Sequence, residues 1–424
     1  MKTSFTQLFS VAILIIGGTS CTTQKQPEVK TSAASDSVSG SFQSDVEFLK
    51  RFTKVIVLQD SSGKGKVALS PALQGRVMTS TSEGDGGFSY GWINRQAFLS
   101  GDTSDHINVF GGEDRFWLGP EGGQYSIYFE KGKPFNLDNW HVPPLIDLEP
   151  FNVSETSGSE AAFTKEATLT NYSGTVFNLA IERKIKVLQS KEAWNTIGLP
   201  VDTTLSLIAY QSENTLENAG TSEWKKESGL LSIWILGMFN PTEATTIVIP
   251  FNKKNAALSD VVNDTYFGKV PEDRLIIDDH AVYFKGDGKF RSKIGLKAEH
   301  ATGWMGSFDA ENEVLTLVKF SKPETVIGYV NSLWEIQKEP YKGDAINAYN
   351  DGPPSPGAKP LGPFYELESS SPAAALKPRE SITHIHTTFH IKGTGSQMDK
   401  IMIKLLGASR EEISSAFRTN ESAH

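Results

Sequence analysis

Phe177-Asn-Leu-Ala-Ile-Glu-Arg-Lys-Ile-Lys-Val187 alternates apolar and polar residues along most of its length. In an extended chain successive side chains leave opposite faces. The stretch therefore predicts a strand with one face on a core and the other toward water. Strand-like runs recur on both sides of it. Val55–Leu58, Lys66–Leu69 and Ala167–Asn171 precede it. Leu205–Gln211, Leu230–Met238, Thr245–Pro250, Arg274–Asp278, Ala281–Lys285, Gly295–Glu299, Val314–Phe320 and Tyr329–Gln337 follow. No βαβ rhythm separates them, so the expected class is all-β, a single large antiparallel sandwich.

Composition agrees. The chain has 424 residues, 38% hydrophobic and 21% charged, which suits a folded domain. Its 37 glycines supply the turns that many strands need. Net charge is −9 and no Lys/Arg cluster stands out, which argues against a nucleic-acid partner. The only cysteine, Cys21, excludes a disulfide framework and a Cys-rich zinc site.

Residues 1–20 read as a signal peptide, with Lys2 as the positive end and Val11–Ile16 as the apolar core. Gly17-Gly-Thr-Ser-Cys21 resembles the lipobox of bacterial lipoproteins, which implies acylation of Cys21 and a membrane anchor in the bacterial cell envelope. Residues 21–43 are polar and aperiodic and read as a flexible tether. The sandwich is expected over 44–395, opening with a helix capped at Ser44-Asp-Val-Glu47. A short helical tail is expected over 396–424, with capping boxes at Ser396–Asp399 and Ser409–Glu412.

Two glycine- and polar-rich centres hold the candidate site residues. In residues 106–130, Ile107–Phe110 and Tyr125–Phe129 read as strands flanking a turned segment that displays Glu113, Asp114, Arg115 and Trp117. An arginine, carboxylates and an aromatic face suit a sugar; the alternative is a plain connector. In the second centre, Tyr349-Asn350-Asp351 offers hydrogen-bonding groups. Further on, Glu366 and Glu368 stand two apart on a strand and point to one face. Two carboxylates packed together raise one pKa and poise a base near neutrality. His384, His386 and His390 share a strand face, and His280 follows two acids just before a strand. Both read as structural rather than metal-binding. No calcium loop and no phosphate loop is present, and no metal or cofactor is expected.

Glu368-Ser-Ser-Ser-Pro372, then Leu376-Lys-Pro-Arg-Glu380, then the closing strand Thr383–Lys392 resemble the C-terminal signature of the aldose 1-epimerase, or galactose mutarotase-like, superfamily. Gly111-Gly112, Arg115 and Pro120 are similar to elements of its sugar cleft. Phe110–Trp117 and Phe364–Pro372 also resemble a bacterial lipoprotein family of unassigned function. The resemblance implies a galactose mutarotase-like β-supersandwich and a carbohydrate ligand. It implies Glu368 or Glu366 as the base of an aldose isomerase. The superfamily's histidine acid falls near Ser232–Pro241, where this chain has no histidine, which leaves His280 as the acid. Arg115, Trp117, Glu113, Asn350 and Asp351 are the expected sugar contacts, and Arg115 and Glu368 are expected to line one pocket. A glycan-binding lipoprotein without catalysis is the alternative.

Overall fold

The computed structural model describes residues 40–323, 328–394 and 396–418. The expected signal peptide and lipidation at Cys21 fall outside the described residues. Alternation produces the strands it predicts: Val176–Val187 is buried at every second residue along most of its length. That strand pairs antiparallel with Glu160–Thr170 and Ser206–Asn218 in a ten-stranded sheet. Ser381–Lys392, Val314–Phe320, Trp304–Asp309, Thr245–Pro250 and Ala281–Lys285 continue it toward the short edge strand Leu275–Ile277. Asn152–Thr156 closes the other edge.

A six-stranded antiparallel sheet faces it. Its order is Val262–Asn263, Ser292–Lys297, Asp344–Asn350, Tyr365–Ser370, Ser232–Phe239 and Arg115–Gly119. Phe239, Ile294, Leu296, Ile346, Ala348 and Leu367 from this sheet meet Ile247, Ile249, Phe284, Met305 and Val318 from the ten-stranded one. Further along, Phe116, Ile233 and Ile235 join Phe163, Ile181, Ile185 and Leu216. A three-stranded sheet, Ile56–Gln59, Lys66–Ser70 and Arg76–Thr81, adds Leu58, Val67, Leu69 and Val77 to that core. Burying a large aliphatic side chain contributes roughly 1.5–3 kcal/mol, so this layer is the main source of cohesion.

The C-terminal helices Ser396–Leu406 and Arg410–Ser415 lie against the outer face of the ten-stranded sheet. Met398, Ile401, Met402 and Ile413 pack there with Leu315, Leu317, Phe389 and Ile391. Ser409 and Glu412 form the expected reciprocal capping box. The N-terminal helix differs from expectation. It spans Phe42–Lys50 and is capped by Ser41, whose side chain accepts from the Ser44 amide. Phe42 is buried and its amide donates to the Gly87 carbonyl, which draws the helix start forward.

Residues 106–130 invert the expected pattern. The glycine-flanked centre is the strand, Arg115–Gly119, and neither flank forms one. Gly111 and Gly112 have φ of 90° and 118°, and a Cβ on Gly111 would stand 2.1 Å from the Trp92 carbonyl oxygen. That close approach is what the glycines serve. Tyr329–Gln337 is likewise a loop, joined to the rest of the fold by an isolated bridge from Tyr329 to Lys342.

Candidate active site

The sheet register assembles the site. Arg115 pairs with Leu236, and Leu236 pairs with Glu368. Trp117 pairs with Trp234, and Glu366 stands between Met238 and Tyr349. Lys293 pairs with Tyr349 on the next strand. Side chains opposite one another in a ladder share a face, so all these residues lie on the face turned away from the ten-stranded sheet. Loops fold over that face and close a cleft of about 440 Å³, lined among others by Arg115, Trp117, Glu121, Trp140, Trp234, Arg291, Lys293, Trp334, Tyr349, Asp351 and Glu366. This volume lies in the range of small-molecule sites.

Charged groups occupy its floor. Arg115 donates to Glu366, and both are nearly buried. Lys293 donates to Glu368 Oε2 at 3.0 Å, and the Trp234 indole N–H donates to the same oxygen at 3.0 Å. Glu368 Oε1 is buried without a hydrogen-bond partner among the described residues. The Lys293 ammonium also lies 4.7 Å from the Trp234 ring centre. Glu121 adds a third carboxylate, its backbone N–H fixed by Ser332 Oγ at 3.1 Å.

Three carboxylates therefore share two close cations. Burial pushes the Glu366 carboxyl up to about 8; Arg115 opposes the rise and Glu368 adds to it. Burial also raises Glu121, against the pull of Lys293 and with the push of Glu368. Burial works against the Lys293 charge, but Glu368, Glu121 and Glu366 together hold its pKa above the ordinary lysine value. The floor therefore retains a proton on a carboxyl group at neutral pH.

Aromatic rings surround this floor. Trp117 and Trp234 meet edge to face at 5.6 Å, and the Arg115 guanidinium lies 5.1 Å from the Trp117 ring. Trp140 stacks between Tyr128 and Trp334, with ring centres 6.2 and 5.9 Å away. Apolar ring faces beside charged groups match the two-sided character of a pyranose.

Among the expected residues, Arg115, Trp117, Glu366 and Asp351 line the cleft. Asp351 accepts from the Tyr349 hydroxyl and the Gly362 amide, both at 2.9 Å. Glu368 shares the sheet face but lies fully buried beneath Trp234 and Lys293, outside the cleft lining. The expectation that Glu368 lines the pocket with Arg115 is thus corrected, and so are three others. Glu113 sits between the sheets, accepting from Ser80, from Tyr210 at 2.9 Å and facing His390 Nε2 at 3.0 Å. Asn350 points to the opposite face and holds the turn at Asp287–Phe290. His280 is exposed in the turn before Ala281–Lys285 and does not line the cleft. In each case strand alternation or a turn sends the side chain elsewhere.

Of the other aromatic residues, Trp140 and Tyr349 line the cleft, whereas Tyr90 stacks on His390 and Tyr365 bonds Ser307 between the sheets. His384 and His386 face Ser369 Oγ at 2.8 Å from inside the sandwich. Among the described residues no group of three His, Cys, Asp or Glu side chains is arranged for a metal ion.

Glu121, Arg291, Lys293, Trp234 and Trp334 are the site residues that sequence reasoning passed over. Arg291-Ser-Lys293 carries the same signal as Glu366-Leu-Glu368, two like charges one residue apart. Reading the two pairs together would have pointed to the Lys293–Glu368 ion pair, though not to the Arg115–Glu366 one.

No curated protein matches the chain. Solved structures similar to it include the Slr1438 protein of Synechocystis sp. PCC 6803, 14% identical over 81% of this chain and 96% of that one, TM-score 0.48. A galactose mutarotase-like protein of Lactobacillus casei ATCC 334 is 11% identical over 80% of this chain and 100% of that one, TM-score 0.47. A galactose mutarotase related enzyme of Lactobacillus acidophilus is 9% identical over 81% and 99%, TM-score 0.45. Residues 40–417 match one family throughout, and the chain belongs to it: the family of unknown function DUF6786.

Proposed function

We propose that the cleft binds a carbohydrate and interconverts its anomers, with the carboxyl groups on its floor as acid and base. One observation carries the reading: Glu366, Glu121 and the buried Glu368 share Arg115 and Lys293 beneath a set of tryptophans. Anomer exchange needs a base to take the anomeric hydroxyl proton while the ring C–O bond breaks, and an acid to protonate the ring oxygen. Glu366, carrying its proton at neutral pH, is the acid. Glu121, the other floor carboxylate in the cleft lining, is the base. Glu368 is a positioning residue that holds Lys293. Reclosure of the ring on the other carbonyl face returns both protons. Trp117 offers a stacking face and Arg115 orients Glu366.

Polarimetry on freshly dissolved aldoses tests this. Anomer exchange is expected above the spontaneous rate, and Glu366→Gln is expected to lose about 10²–10⁴-fold of it. No acceleration on any aldose refutes the catalytic reading. A second reading is a glycan-binding protein without turnover. It is favoured by the ion pairs themselves, since Glu366 and Glu368 are each already tied to a cation. Saturable binding that survives Glu366→Gln but fails in Trp117→Ala, with no anomer exchange, supports that alternative.

The leader extends the proposal to place. An acyl chain on Cys21 would hold the domain on the bacterial envelope, where extracellular glycans are met.

A further inference from the structure

We propose that the ligand of this cleft is a sugar bearing an acidic substituent, and that Arg291 receives it. The inference rests on the carbohydrate reading of the site and deepens it. Arg291 lines the cleft just before the strand Ser292–Lys297, two residues ahead of Lys293, which also lines it. Its guanidinium lies 3.7 Å from the centre of the Phe267 ring. Among the described residues no carboxylate lies within ion-pair distance of it, in contrast to Arg115 and Lys293.

The acid on that side, Asp351, is already engaged. It accepts from Tyr349 and Gly362. Asp351 feels the Arg291 charge but makes no ion pair with it among the described residues, its lone pairs being largely occupied, so the N–H donors of the fork stay available. The loop carrying Asp351 also brings Lys359 to the cleft, exposed and without an ion pair among the described residues. A planar guanidinium seated on an aromatic ring, with its donors free, is built for bidentate contact with a carboxylate or another oxyanion. A neutral hexose would leave that fork without an acidic partner. Glu366 and Glu368 do not compete for Arg291, because Arg115 and Lys293 hold them.

The experiment is titration of the full chain, followed by tryptophan fluorescence, with galacturonate, glucuronate, glucose 6-phosphate, galactose and glucose. Acidic sugars are expected to bind at least about tenfold more tightly than their neutral parents, the scale of a charge-assisted hydrogen bond. That advantage should shrink as salt is raised. Arg291→Ala is expected to remove the advantage while costing the neutral sugars no more than about threefold, and Arg291→Lys should restore part of it. The uronate and phosphate arms show which oxyanion the fork accepts. Equal affinity for acidic and neutral sugars, or equal losses for both in Arg291→Ala, overturns the inference and leaves the carbohydrate reading standing. Binding of none of these sugars overturns both.

Discussion

Lys293→Met removes the cation that answers Glu368 while keeping most of the aliphatic stem. The pair is deep: the Glu368 side chain has no exposure and that of Lys293 has 10%. At 3.0 Å the gross attraction is about 5–6 kcal/mol at an effective dielectric of 20. Part of that is offset by desolvation, and breaking one partner of a buried pair costs roughly 3–5 kcal/mol. In the variant, among the described residues only Trp234 continues to donate to Glu368. Glu366 and Glu121, which burial already raises, then lose the Lys293 charge that opposed the rise, and their proton affinities rise further. A carboxyl whose folded pKa lies above its unfolded value costs stability as pH rises. The loss should therefore be larger at pH 8 than at pH 5. Guanidinium unfolding followed by tryptophan fluorescence reads both values. Lys293→Met with Glu368→Gln should recover most of the loss, because no buried charge is then left alone. A loss under about 1 kcal/mol at pH 8, or a double variant no more stable than the single one, would refute the electrostatic account of the floor.

Catalysis through protonated Glu366 predicts a rate that falls as pH rises through about 8, a limb that Glu366→Gln should abolish along with the rate. His386 is buried and its pKa is pushed down to about 4, so the unfolded chain takes up its proton first and stability is lost as pH falls from about 6.5 toward 4. Relative to His386→Asn, the wild type should therefore lose about 2 kcal/mol between pH 7 and pH 5 in unfolding measurements. Asp114→Ala should cost roughly 3–5 kcal/mol in the same assay, since it strands the fully buried Arg183 that now donates to it at 2.6 Å. Cys21→Ser should release the chain from the membrane fraction of the expressing cell.

The two sheets were not equally legible. Strands of the ten-stranded sheet such as Val176–Val187 have one wet face, and their alternation shows in the residues themselves. Ser232–Phe239 and Tyr365–Ser370 are buried from end to end, by the opposing sheet on one side and by the cleft loops on the other. Period two fades when both faces are covered, so the Arg115 strand looked like part of a turn. The common face of Glu366 and Glu368 was readable because strand geometry alone sets it. Their difference in depth was not. It depends on Trp234 and Lys293, which lie far off in sequence and arrive through pairing with neighbouring strands.

Glu113 and Asp114 show how a misread residue still serves the site. Both carry charge beside Arg115, and all three looked like a single display of ligands. The fold divides them. Glu113 is held by Ser80 and Tyr210 and faces His390, and Asp114 is tied to Arg183. Both anchors lie within the sandwich, where an unpartnered charge would be costly, so the chain at 113–114 has little freedom to shift. Arg115 follows directly and projects to the cleft face in register with Leu236 and Glu368. A one-residue slip would turn Arg115 into the core and place an aromatic residue on the floor instead. The buried acids thus act on the site through register, by fixing which face the arginine takes. Losing either anchor should disturb the Arg115–Glu366 pair although neither side chain lines the cleft.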